Sequence, residues 1–201
     1  MGREAILLDG FSLTCRTLSR LGAKGSKIGL SSDASHRIKQ ARDVVDRLVE
    51  RGFSEGHVAY GINTGFGLFA DVIIENSELV KLQQNLIRSH SCGVGEPLSP
   101  EETRRLLALR INVLAKGHSG IRPETVERMI AAFNNDCLSI VPSQGTVGAS
   151  GDLAPLSVSR LIKSRLHVKR TLSCMFTVGF ACTLLLAFGS WVDGRRRDVG
   201  S

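Results

Sequence analysis

Residues 99–116 read SPEETRRLLALRINVLAK. Ser99 and Glu102 form a capping box around Pro100, which takes the first helical position, so a helix begins here. The body of that helix is apolar nearly all round: Leu106, Leu107, Leu109, Ile111, Val113 and Leu114 leave little of its circumference polar. Such a helix is expected to lie inside a larger bundle, covered on all sides.

The neighbouring segments repeat the pattern. Between residues 33 and 51, Ile38, Ala41, Val45 and Leu48 fall at three-four spacing, with Ser31 or Ser32 to cap the start and Gly52 to stop the end. A second helix is expected over residues 77–88, carrying Leu79, Leu82 and Leu86 on one side. A fourth opens at Pro123 and turns Val126, Met129, Ile130 and Phe133 inward. The fold class is therefore mainly α.

Composition narrows the possible functions. In 201 residues, 42% are apolar and 22% charged, the balance of a globular protein. The net charge of +7 is uneven, because residues 165–201 hold six Lys and Arg against two Asp and Glu. Residues 1–164 carry both signs interspersed and no basic stripe interleaved with aromatics, so nucleic acid is not the expected partner. The five cysteines form no CxxC pair and read as reduced thiols of a cytoplasmic protein. His36, His57, His90, His118 and His167 lack ligand spacing, so no metal site is expected.

Three glycine-rich stretches separate the helices: YGINTGFG at 60–67, HSCGVG at 90–95 and GTVGASG at 145–151. Ile, Phe and Val among the glycines, with few charges, suggest loops packed into a site. Ser150 is not in a hydrolase elbow. That turn needs glycine two places after the serine, Asp152 stands there, and no strand signal precedes it. A phosphate loop fails too, for want of a following Lys-Ser/Thr.

Ala149-Ser150-Gly151 suits another chemistry. Attack of the Gly151 amide nitrogen on the Ala149 carbonyl carbon closes a five-membered ring. Loss of that carbonyl's oxygen and of the Ser150 hydroxyl, each as water, leaves an imidazolone with an exocyclic methylene. Glycine removes the side chain that would block the attack, alanine keeps the hinge small, and serine supplies the leaving hydroxyl. The product is an electrophile that no unmodified side chain offers.

GTVGASGDLAPLS, YGINTGFG, NLIRSHSCGVGEPLS and LRINVLAKGHSGIRPE, in this order, resemble the N-terminal part of the aromatic amino acid ammonia-lyases. The resemblance runs from Leu8-Asp9-Gly10 to about Ser157. It implies part of a long-helix bundle, a homotetramer with composite active sites, and a 4-methylideneimidazole-5-one (MIO) group built from Ala149, Ser150 and Gly151. Tyr60 matches the family's proposed catalytic base. Ser89-His90 ahead of Ser91-Cys92-Gly93 is similar to the histidine-specific members, which implies L-histidine as substrate, trans-urocanate and ammonia as products, and His90 as the residue that contacts the imidazole or carries a proton. A tyrosine or phenylalanine lyase, or an aminomutase, remains the alternative on the same scaffold. Asn63, Thr64 and Asn112 are left open between backbone and substrate carboxylate.

Residues 1–157 thus read as the lyase part and residues 158–201 as a divergent tail. In the tail a basic run, KSRLHVKR at 163–170, precedes residues 171–192, which carry no charge. That run is long enough to span a bilayer. A non-native end, from splicing or a frame change, is the favoured explanation, because nothing upstream suggests a membrane protein. The family's further substrate residues lie beyond its MIO motif and have no counterpart here, so the chain alone is expected to be inactive, and a non-catalytic product that interferes with tetramers stays open.

Overall fold

The computed structural model describes residues 4–51, 59–145, 154–155 and 157. The tail, with its apolar run at 171–192, lies outside the described residues. Strand β1 (Ile6–Leu8) and strand β2 (Ile28–Leu30) pair in parallel, with Ile6 opposite Ile28, and helix α1 (Cys15–Gly22) connects them. Helix α2 (Ser32–Arg51) follows, then 3₁₀ turns at Gly67–Phe69 and Asn76–Glu78 and helix α3 (Leu79–His90). Strand β3 (Val94–Pro97) leads into helices α4 (Pro100–Leu114) and α5 (Pro123–Asn134). Strand β4 (Pro142–Gln144) then returns antiparallel to β3.

The expected helix starts hold. Ser31 caps α2, its hydroxyl accepting the Ala34 N–H at 3.2 Å. The capping box of α4 is complete: Glu102 N–H donates to Ser99 Oγ at 3.3 Å, and Ser99 N–H donates to Glu102 Oε2 at 2.9 Å. The Ser99 hydroxyl and amide hold the Glu102 carboxyl below its ordinary value. A lowered carboxyl stabilises the fold above the ordinary carboxylate range and stops doing so as pH falls through the lowered value. Ser99→Ala is therefore expected to lower the melting temperature by a few degrees at neutral pH and to narrow that difference in acid, measured by circular dichroism across pH.

Helix α4 is the centre of the core, though it is not covered all round. Leu107, Ala108, Ile111 and Leu114 are buried with Leu8, Leu21, Ile28, Ile38, Ile121, Val126 and Phe133. Leu109 and Val113 are 43% and 46% exposed. Among the described residues, α1 and α5 pack on α4, and Leu109 and Val113 are left partly uncovered.

Arg104 ties these layers together. Its side chain is 2% exposed, and its guanidinium stacks on the Phe133 ring, 4.0 Å from the centroid. It donates to the carbonyls of Leu21 (3.1 Å), Phe133 (3.1 Å) and Ser26 (2.7 Å) and to the Asp136 carboxylate. Leu21 and Phe133 lie in the last turns of α1 and α5, where carbonyls lack helical partners and the dipole favours a cation. Burial pulls the guanidinium below its ordinary value, and Asp136 opposes that shift.

Candidate functional site

Residues 59–74 form a closed loop around Tyr60. Ile74 N–H donates to Asn63 O at 2.8 Å, Gly65 N–H to Val72 O at 3.0 Å, and Thr64 bridges antiparallel to Ile73. Gly61 and Gly67 adopt φ of 76° and 58°, a region that L side chains disfavour, so the turns that follow Tyr60 need glycine. Gly65 is needed for space instead: an added Cβ would sit 2.5 Å from the Phe69 Cβ.

Tyr60 is half-buried, meets Phe66 edge-on at 6.1 Å between ring centroids, and accepts from Gly67 N–H at 3.4 Å. The loop is packed at Ile62, Asn63 and Thr64, whereas Leu68 and Phe69 form an exposed apolar lip. Asn63 and Thr64 turn to backbone: Asn63 Oδ1 accepts Ala59 N–H at 2.7 Å, and Thr64 Oγ1 accepts Gly61 N–H at 3.2 Å and donates to Gly65 O at 2.9 Å. Asn112 does the same, accepting Gly10 N–H at 3.0 Å and so fixing the end of β1 to α4.

The loop runs through the second 3₁₀ turn into α3, whose last residue is His90. His90 Nδ1 lies 2.8 Å from the Leu86 carbonyl oxygen and 2.9 Å from Ser89 Oγ, and that hydroxyl itself donates to Leu86 O at 2.9 Å. A carbonyl only accepts, so Nδ1 carries the hydrogen of its bond to Leu86. Nε2 is left for another partner.

Beyond His90 the chain is more open than its glycines and valine suggested. Cys92, Val94 and Gly95 are exposed, because β3 has β4 on one edge and helps form only a two-stranded sheet. β4 also corrects the expectation that no strand precedes Gly145, although Asp152 still excludes a nucleophile elbow. Ala149, Ser150 and Gly151 lie outside the described residues. The residues that bracket them do not: an added Cβ at Gly145 would sit 2.8 Å from the Ala154 Cβ and 3.0 Å from the Gly93 Cα. Gly145 and Ala154, which flank residues 146–153, thus lie close together and beside the turn that follows His90. Among the described residues no group of three His, Cys, Asp or Glu is placed to hold a metal ion, and no helix is long and apolar enough to cross a membrane.

Residues 13–162 match the family described as aromatic amino acid lyase. The chain is 57% identical over 152 residues to histidine ammonia-lyase of Mus musculus, a match covering 76% of this chain and 22% of that protein. Its fold is similar to the crystal structure of histidine ammonia-lyase from Trypanosoma cruzi, with a TM-score of 0.67, 48% identity, and 79% of this chain and 29% of that one covered. Tyrosine aminomutase from Streptomyces globisporus gives a TM-score of 0.73 at 29% identity, over 90% of this chain and 36% of that one. The chain therefore spans between about a fifth and a third of the relatives it matches, 22% of the mouse protein and 30% of that from Caldanaerobacter subterraneus.

Proposed function

Because the chain belongs to the aromatic amino acid lyase family, we propose that it supplies the N-terminal part of an enzyme that deaminates L-histidine, without oxidation, to trans-urocanate and ammonia. The observation that carries the substrate is the 57% identity to a histidine ammonia-lyase, against 29% to the tyrosine aminomutase. Residues 1–157 make up the lyase part and 158–201 a separate tail. The assembly is a homotetramer in the cytoplasm, in keeping with the free thiols of Cys15, Cys92 and Cys137.

Ala149, Ser150 and Gly151 would form and hold the MIO group, which supplies the electrophile that prepares the amino acid to lose ammonia. The bracketing residues fit such a group, since Gly145 lies against Ala154 and Gly93 with no room for a Cβ. Tyr60 takes the β-hydrogen of the substrate through its phenol oxygen, which lies 3.4 Å from the Gly67 amide nitrogen. His90, with Nδ1 committed to Leu86, offers Nε2 as an acceptor. A neutral imidazole donates one ring N–H, so the histidine side chain supplies the hydrogen that this acceptor lacks.

A chimera tests the assignment. Residues 13–157 replace the matching segment of the mouse enzyme, and L-histidine, L-tyrosine and L-phenylalanine are each assayed. Turnover of histidine alone is expected. A folded chimera that prefers tyrosine or phenylalanine would establish the alternative instead.

A further inference from the structure

We propose that Asn63 and Thr64 are positioning residues for Tyr60, which fix its phenol through the backbone on either side of it. Both side chains are buried, 3% and 0% exposed. Asn63 accepts the amide of Ala59, immediately before Tyr60, and Thr64 accepts the amide of Gly61, immediately after it. The Thr64 hydroxyl also donates to Gly65 O, so a single oxygen closes the backbone across residues 61–65. The need for such ties follows from the composition of the loop. Gly61, Gly65 and Gly67 leave the chain many conformations, and the 3.4 Å bond from Gly67 to the phenol oxygen is too long to select one of them by itself.

The side-chain choices agree. A hydroxyl offers one donor and two acceptor positions, and Thr64 uses it in both senses. Valine has the same shape and neither capacity, whereas serine keeps both. Thr64→Val therefore removes the acceptor that the Gly61 N–H uses and the donor that the Gly65 carbonyl uses, while Thr64→Ser retains both.

The inference rests on Tyr60 being the group that takes the proton, but it concerns where the phenol sits and is tested without turnover. Tyr60 is the single tyrosine of the chain, so tyrosine labelled with ¹³C at Cζ gives one resonance. Thr64→Val and Asn63→Leu are expected to shift that resonance towards its position in denatured chain, or to broaden it into several, with the far-ultraviolet helix signal unchanged. Thr64→Ser should restore the parent line. A parent-like resonance in Thr64→Val would overturn the proposal, and so would a folded serine variant as perturbed as the valine one. Loss of the helix signal in Thr64→Val would also overturn it, since the hydroxyl would then hold the whole fold and not one side chain. If the resonance behaves as expected while Tyr60→Phe leaves the chimera fully active, the positioning stands and the role of Tyr60 as base falls.

Discussion

Arg104→Met is expected to remove about 3–5 kcal/mol of stability, the cost of leaving buried carbonyls without the donor that the buried guanidinium supplies. For a chain of this size, that corresponds to a fall of roughly 6–20 °C in melting temperature. Methionine fills much of the volume over Phe133 but takes from the carbonyls of Leu21 and Ser26 the donor that Arg104 supplies, while the Phe133 carbonyl keeps the Asp136 N–H. Each unmet buried acceptor costs about 1–3 kcal/mol, so the two carbonyls account for an effect of this size without the Asp136 pair. Arg104→Lys is expected to recover little, because an ammonium on a flexible stem does not reproduce a planar fork that serves two helix ends and a loop together. Urea denaturation of parent, Met and Lys variants measures the difference. A loss no larger than that of an exposed arginine would contradict the role.

The helices were legible because their signals are local. A capping box at Ser99, proline at 100 and 123, and three-four spacing in α2 all act within one or two turns, and the structure follows them. What the sequence did not disclose depends on partners distant along the chain. β1 and β2 are three residues each and exist because α1 brings Ile6 beside Ile28. α1 itself has eight residues, with Leu18 and Leu21 as its apolar anchors, too few to show a period. Arg104 looked like one of several charges on a helix, and only the ends of α1 and α5 give it carbonyls to meet. The open face at Leu109 and Val113 has a related reason: an apolar helix states that it needs covering, but not by which segment.

The candidate site divides along the same line. Tyr60 stood out as the single tyrosine, opening a glycine loop, and the resemblance to the ammonia-lyases supplied its proposed role. Asn63 and Thr64 were visible as polar residues in that loop, but a carboxamide and a hydroxyl next to glycines are equally suited to a ligand and to the backbone. The folded loop decides for the backbone, since Ala59, Gly61 and Gly65 lie within reach. An asparagine in the interior of α4 carried a weak signal of its own. Asn112 disfavours helix, and such a residue is retained where its side chain meets a distant amide, here that of Gly10.

In the chimera, Ser150→Ala is expected to bring turnover down to background, and Tyr60→Phe to lower it by about 10²–10⁴-fold, the usual contribution of a positioned general base. The two losses differ in kind. Without the Ser150 hydroxyl the second water cannot leave, so no methylene forms and the site has no electrophile for Tyr60 to assist. Without the phenol oxygen the electrophile persists, substrate is still oriented by the groups around it, and water takes the proton more slowly. Mass and absorbance separate the cases. Loss of two waters makes a peptide spanning residues 149–151 about 36 Da lighter than its unmodified sequence, and the conjugated ring absorbs in the near ultraviolet. Parent and Tyr60→Phe are expected to show both signatures, and Ser150→Ala neither. A parent peptide of unmodified mass in an active chimera would refute the ring. A Tyr60→Phe variant that loses the 36 Da change along with its activity would move Tyr60 from proton transfer to the formation of the group itself.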